Sequence, residues 1–155
     1  MEVRPGYKQT EAGLIPEDWD VSTVGREFDI KLGKMLDSKK NVGVPKPYLG
    51  NKAVQWDRID ISDPPTVPMS SADIEKFRLL KGDLLVCEGG EVGRAAIWDA
   101  PIDECYYQKA LHRLRALRGY DSRSSVQARL KNFLRFCYDS KYLDRVAAPF
   151  LHQSG

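Results

Sequence analysis

Leu84-Leu85-Val86-Cys87-Glu88-Gly89-Gly90-Glu91-Val92-Gly93-Arg94-Ala95-Ala96-Ile97-Trp98 carries the clearest local signal in the 155-residue chain. Two apolar runs, Leu84 to Cys87 and Ala95 to Trp98, flank a polar connection, Glu88 to Arg94, that contains Gly89, Gly90 and Gly93. Short apolar runs around a glycine-bearing connection read as a β-hairpin, because glycine takes the backbone angles that a strand reversal needs. The stretch predicts two paired strands with a flexible, polar tip.

Upstream of the hairpin, Lys81-Gly82-Asp83 predicts a turn. Before it, Ser70 or Ser71 caps a short helix running to about Leu80, since Asp73 follows Ser70 by three places and Ile74, Phe77 and Leu80 share a face. Pro47 to Ile61 predicts two short strands, Tyr48-Leu49 and Val54 to Ile61, broken at Gly50-Asn51 and ended by Asp63-Pro64-Pro65. Lys34 to Lys46 has the composition of an exposed loop with a basic tip at Lys39-Lys40-Asn41, and Val21 to Ile30 fits a short helix or a strand. Residues 1–20 form a turn-rich, extended N-terminal segment from which Trp19 and Val21 are expected to pack on the domain.

Downstream, Tyr106 to Arg115 alternates as a further strand. From Ser124 or Ser125 the period changes to that of a helix, with Val126, Leu130, Phe133, Leu134, Cys137 and Tyr138 on the apolar stripe and Arg129, Lys131 and Arg135 opposite. A second short helix is expected from Ser140 to Ala148. Strands first and helices last predict an α+β fold: a mixed or mostly antiparallel sheet with polar loops, followed by C-terminal helices. A single domain over residues 1–155 is expected, with a mainly β core at 21–118 and closing helices at 124–148.

Composition narrows the function. With 30% charged residues and no apolar run of membrane-spanning length, a soluble protein is expected, and the absence of a signal-peptide pattern in Met1 to Tyr7 predicts a cytoplasmic one. Cys87, Cys105 and Cys137 lie 18 and 32 positions apart, a spacing that suits neither a disulfide framework nor a zinc site, so buried, reduced thiols are expected. The net charge of +2 conceals an asymmetry: Lys109 to Arg145 holds ten basic and three acidic side chains, and residues 1–108 hold 14 and 19. A positive C-terminal third suits a polyanionic partner, because Lys and Arg contacts release condensed counterions from phosphates; it equally suits a solvated helix face.

Reactive constellations are scarce in the sequence. Asp63-Pro64-Pro65-Thr66 lacks the aromatic that an amino-methyltransferase stacks on its target base, and no Gly-x-Gly strand-turn-helix accompanies it for a methyl donor. Gly89-Gly90-Glu91-Val92-Gly93-Arg94 lacks P-loop spacing and leads into a strand. Asp83 and Glu88 have no lysine two places on, as a metal-dependent nuclease would need, and His112 and His152 have no nucleophile beside them. No catalytic residue, metal site or cofactor is expected. What the sequence does offer is a scaffold presenting loops: Asn51, Lys52, Gln55, Glu88, Arg94, Gln108 and Lys109 sit beside turns or strand ends, with donors and acceptors suited to base edges and equally ordinary on a surface.

Several phrases, in order, resemble the specificity subunits of type I restriction-modification enzymes. Gly6-Tyr7-Lys8-Gln9-Thr10-Glu11-Ala12-Gly13-Leu14-Ile15-Pro16-Glu17-Asp18-Trp19 is similar to the opening phrase before the first target-recognition domain of that family. Pro47-Tyr48-Leu49-Gly50-Asn51, Leu80-Lys81-Gly82-Asp83-Leu84-Leu85 with Gly93-Arg94, and Tyr107-Gln108-Lys109-Ala110-Leu111 resemble later family phrases. Ser140-Lys141-Tyr142 and Gln153-Ser154-Gly155 resemble its closing helices and the loop after them.

The resemblance implies a non-catalytic component that reads one half of a bipartite double-stranded DNA site, in a system with methyltransferase and restriction subunits. Such subunits carry two recognition domains and long spacer helices; here there is one domain and no such helix, so a fragment, or a half-subunit pairing with itself as a homodimer, is the expectation. By that resemblance Lys34, Asn51, Lys52, Glu88, Arg94, Gln108 and Lys109 lie near bases or adjoining phosphates, and Lys39, Lys40, Arg113 and Arg129 supply positive field. The competing readings are a protein-interaction module that docks a methyltransferase without reading DNA, and an enzyme.

Overall fold

The computed structural model describes residues 5–11, 13–19, 21, 23–37, 41–117 and 129–135. In chain order these form β1 (Tyr7–Thr10), β2 (Gly13–Pro16), α1 (Val24–Glu27), β3 (Phe28–Leu32), β4 (Val44–Leu49), a 3-10 turn (Asn51–Ala53), β5 (Val54–Gln55) and β6 (Arg58–Ile59). There follow β7 (Thr66–Met69), α2 (Ser71–Phe77), β8 (Leu84–Cys87), β9 (Ala95–Ile97), β10 (Tyr106–Tyr107) and β11 (Leu111–Ala116). Residues 129–135 are helical. The fold is α+β, as the order of elements predicts.

The glycine-tipped hairpin is the centre of the molecule. β8 and β9 pair antiparallel, with Leu84 opposite Ile97 and Val86 opposite Ala95, and β11 and β3 extend them into a sheet of order β3-β11-β8-β9. All four residues of β8 are buried, so its side chains supply two cores. Leu85 and Cys87 pack with Ala96, Leu111, Leu49, Met69, Trp98 and Tyr107 on one face; Leu84 and Val86 pack with Phe28, Ala95, Leu114 and Leu134 on the other. The first core is closed by a second, mixed sheet of order β10-β4-β7 together with α2, and the second by the helical residues 129–135. Burying a leucine or valine is worth about 1.5–3 kcal/mol, so a strand buried on both sides makes both layers obligatory.

Local rules account for the detail of several elements. Ser70 accepts the Asp73 N–H and the Asp73 carboxylate accepts the Ser70 N–H, a capping box that starts α2 where the sequence placed it, although the helix ends at Phe77. β4 tolerates Pro45 and Pro47 because of which edge they face. Tyr48 N–H donates to Pro65 on the β7 side, and Leu49 accepts from Gln108 on the β10 side, so the odd positions point towards β10, which pairs only with Tyr48 and Leu49. The prolines thus lack an N–H where, among the described residues, β4 has no strand to receive it.

The fold corrects some expectations. Tyr106 to Arg115 is two strands, because Lys109-Ala110 turns between β10 and β11. Val54 to Ile61 is a tight hairpin, β5 and β6, whose turn holds Asp57 at φ 61. Val21 to Ile30 is helix and then strand, α1 running directly into β3. Trp19 does not pack among the described residues: it is 61% exposed and Val21 is 37% exposed, beside a hairpin, β1–β2, whose strands pair there with each other alone. Of the expected helical stripe Leu134 is buried and Leu130 partly so, but Phe133 is 52% exposed. Val126, Cys137, Tyr138 and the helix expected at 140–148 lie outside the described residues.

Cys87 and Cys105 are free and buried, and burial pushes their thiols up to about 11 and about 12, respectively, which keeps them protonated at neutral pH. Among the described residues no helix is long and apolar enough to cross a membrane.

Where β8 begins, a buried charge is closed off. The Asp83 carboxylate, 2% exposed, accepts Nε and Nη2 of Arg115 at 2.7 and 2.8 Å and the Leu80 N–H at 2.7 Å. Removing one member of such a pair strands the other charge out of water, at a cost of about 3–5 kcal/mol. Arg115→Met should therefore lower the unfolding free energy by about 3 kcal/mol in urea titrations, and Asp83→Asn added to it should restore part of the loss. Equal stability of the single variant and the wild type would refute this account.

Candidate nucleic-acid interface

Five chain segments meet at the end of the central sheet remote from Asp83. β3 and β8 finish there and β11, antiparallel to both, starts there; β4 and β10 of the neighbouring sheet also finish there. The segments are tied by backbone hydrogen bonds: Gly33 N–H donates to Leu111 O, Lys34 N–H to Tyr107 O, Gln108 N–H to Leu49 O, Lys109 N–H to Lys34 O and Glu88 N–H to Ala110 O, all between 2.9 and 3.1 Å. Gly33 is required by this closeness, since a Cβ there would collide with the Gln108 carbonyl.

The convergence brings together most of the residues singled out from the sequence. Lys34 and Gln108 form a parallel bridge, Lys109 follows on an exposed turn, and Glu88 begins the glycine loop. Asn51 and Lys52 lie on the 3-10 turn after β4. The Gln108 amide nitrogen stands within 3.2 Å of where a Cβ on Gly50 would be, and Asn51 Nδ2 within 3.1 Å of one on Gly90, so the β4 end touches both neighbouring loops. Gln55 folds back on the same turn, donating from Nε2 to Lys52 O at 2.8 Å.

The cations divide into outward and inward groups. Lys52 and Lys109 are exposed. Lys34 is only 9% exposed and donates to Asp73 Oδ2 at 3.0 Å, the carboxylate that also closes the α2 capping box. Burial raises the Asp73 carboxyl, but hydrogen bonds from Lys34 and Ser70 outweigh it and leave it below the usual range. Arg94 is 8% exposed; Nε donates to Val54 O at 2.6 Å and Nη2 to Asn51 O at 3.0 Å, and Nη1 lies 3.4 Å from Glu91 Oε2. Arg113 is 2% exposed on the first core, held by Asp29 at 2.9 Å and near the Tyr107 hydroxyl at 3.4 Å. Its hydrogen bond holds the Asp29 carboxyl below the usual carboxylate range. Arg129 is exposed on the helical segment, away from the other candidates in sequence, and Lys39 and Lys40 lie outside the described residues.

Three groups that engage these residues are not among the binding candidates singled out from the sequence. His112 Nε2 lies 3.7 Å from Glu88 Oε2, Asp73 anchors Lys34, and Asp29 anchors Arg113. Only the capping phrase around Asp73 was readable, and that for a different purpose. Asp63-Pro64-Pro65 lines a cleft of about 160 Å³ beside Lys52, below the roughly 300–1,000 Å³ of small-molecule sites. Among the described residues no three His, Cys, Asp or Glu side chains are grouped to hold a metal ion. The arrangement offers amides, a carboxylate and two ammonium groups at one rigid end of a sheet, a set fitted to hydrogen-bond readout.

No protein-family model matches the sequence, and no curated protein matches it. Solved structures do. The HsdS subunit from Thermoanaerobacter tengcongensis aligns with a TM-score of 0.50 at 13% identity, over 92% of this chain and 42% of that one. The S subunit of a type I restriction-modification system from M. genitalium gives 0.39 at 20% identity, over 72% and 27%. A chain from a structure of type I R-M complex assembly and conformational transition gives 0.42 at 15% identity, over 99% and 44%. The chain thus shares its α+β fold with an HsdS subunit, and it spans less than half the length of each of these three.

Two measurements follow from the convergence. Gly33→Ala should cost about 2–3 kcal/mol in chemical unfolding by forcing β3 from the Gln108 backbone, whereas Gly89→Ala, which meets nothing within 4 Å, should stay within about 0.5 kcal/mol of wild type. Equal effects would contradict the close approach. Asp29 and Asp73 have folded pKa values below the ordinary 3.8, so their stabilising contribution is complete above that value and lost as pH falls through the lower folded values. The acid-induced loss of stability below pH 3.8 should be shallower in Asp29→Asn and Asp73→Asn, read by circular dichroism.

Proposed function

We propose that this chain is a non-catalytic DNA-reading module, which recognises one half of a bipartite double-stranded target for a type I restriction-modification system. The observation that carries the reading is the meeting of five strand ends, which gathers Asn51, Lys52, Gln55, Glu88, Gln108 and Lys109 from distant parts of the sequence. The fold shared with an HsdS subunit supports it.

In this reading a rigid sheet end enters the major groove. Lys52 and Lys109 meet phosphates or guanine edges, Glu88 accepts from a cytosine amino group, and Gln108, Gln55 and Asn51 pair with adenine or with neighbouring acceptors. Arg129, Lys39 and Lys40 add positive field, while Lys34, engaged with Asp73, holds the sheet end in shape and Arg113, engaged with Asp29 nearer the Asp83 end, ties β11 to β3. Because the chain spans 42% of the HsdS subunit, the other half-site falls to a second recognition unit, in the same polypeptide or in a second copy. Methyl transfer and cleavage belong to cytoplasmic partner subunits in this scheme.

One observation favours a second reading, a module that docks a methyltransferase without reading sequence. Tyr7, Leu14 and Trp19, at 37%, 41% and 61% exposure, put apolar surface on the N-terminal hairpin and the turn after it. Such groups are common in protein interfaces.

The two readings part on salt and sequence. With the purified protein and a randomised duplex library, the DNA reading expects an enriched consensus and an affinity that falls steeply with salt. Lys52→Ala and Lys109→Ala should each reduce the salt slope by about one unit, and Gln108→Ala should relax preference at one position by about 1–3 kcal/mol. DNA incubated with the protein, Mg²⁺ and S-adenosylmethionine should come back uncut and unmethylated. No consensus, together with salt-insensitive binding, would hand the case to the docking module.

A further inference from the structure

We infer that Arg94 is a positioning residue: it sets the sequence discrimination of the site by locking the Asn51–Gln55 segment to the glycine loop, without itself touching DNA. The inference rests on the DNA reading above and deepens it. A guanidinium is a planar fork, and this one straddles the 3-10 turn. Nη2 donates to the carbonyl of Asn51, where the turn starts, and Nε donates to that of Val54, just after it ends. Charge-assisted bonds of this kind are roughly twice as strong as neutral ones, and a lysine ammonium has no rigid fork with which to reproduce the pair.

The two sides of the lock differ in what holds them. Arg94 continues directly into Ala95, which is fully buried in the central sheet, and its N–H donates to Glu91 O at 3.1 Å, so the guanidinium is referenced to the hairpin. Asn51 and Lys52 belong to a turn that has no buried residue of its own. The glycine loop presses on the same turn from a second direction: Gly90, at φ 68, lies so close that a Cβ would sit 3.1 Å from Asn51 Nδ2. Asn51 Oδ1 is buried there with no hydrogen-bond partner among the described residues. The Cys87 thiol also lies 3.8 Å from both Asn51 O and Val54 O. Lys52, whose side chain is exposed, and Gln55, whose amide folds back on the Lys52 carbonyl, therefore take their position from Arg94. A base contact by Arg94 would require both carbonyl bonds to break and the side chain, 8% exposed, to leave its pocket.

Two readouts on Arg94→Lys and Arg94→Ala test this. In the free protein, hydrogen exchange should speed up at residues 51–55 while β8 and β11 stay as protected as in wild type. In selection from the randomised duplex library, discrimination between the preferred half-site and its single-base variants should fall about tenfold in Arg94→Lys and further in Arg94→Ala. If the alanine variant does not fold, the lysine variant, which keeps the charge and the stem, decides. Unchanged exchange at 51–55 in Arg94→Lys overturns the lock. Unchanged discrimination beside faster exchange overturns its role in specificity. Equal loss of affinity for every duplex identifies a direct phosphate contact and overturns the proposal. A wild-type protein that selects no consensus refutes the DNA reading itself, and the specificity role with it, while the exchange result still decides the lock.

Discussion

A strand with no exposed face governs this molecule. Leu84, Leu85, Val86 and Cys87 are all fully buried, so alternate side chains must be covered from opposite directions. One direction is filled by the β10-β4-β7 sheet with α2, the other by α1 and the helical residues 129–135. Polar chemistry has no room along such a strand and is displaced to its ends. Asp83 at the start is closed off by Arg115, and Glu88 at the finish opens onto the glycine loop and the converging strand ends. The sheet therefore has a sealed end and a presenting end, and the proposed readout of DNA belongs to the second.

Counting charges along the chain misjudges what the surface shows. The basic C-terminal third includes Arg113 and Arg115, yet Arg113 is buried against Asp29 and Tyr107 and Arg115 is bound to Asp83. Lys131 pairs with Asp57, and Arg135 lies 5.0 Å over the Trp56 ring. Lys34 and Arg94 are likewise turned inward. These cations stiffen the scaffold, and among the described residues those left to meet a ligand are fewer and more mixed in charge than the composition suggests. A rigid frame with a few outward donors and acceptors suits discrimination, since flexible side chains lose more freedom on binding.

Much of the local structure was legible. The hairpin around Gly89-Gly90, the capping box at Ser70 and Asp73, and the buried cysteines at 87 and 105 are each decided within a few residues of chain, where backbone preference and side-chain reach suffice. The strands expected at 54–61 and 106–115 are each divided by a turn, because alternation continues through a turn that only neighbouring strands impose. A tryptophan such as Trp19 is ordinarily buried, yet among the described residues no layer covers it.

By itself, then, the sequence determined the hairpin at 84–98, the capped start of α2 and which residue types stand beside the turns. The tertiary structure decided which of those residues keep company: Lys34 with Asp73 across 39 positions, Arg113 with Asp29 across 84, Arg94 with Asn51 across 43. The physical reason is range. Hydrogen-bonded caps and side-chain periodicity act over one or two turns of chain, whereas the order of strands in a sheet follows from burying apolar faces together, and only that order tells an outward lysine from an arginine sealed beneath a loop.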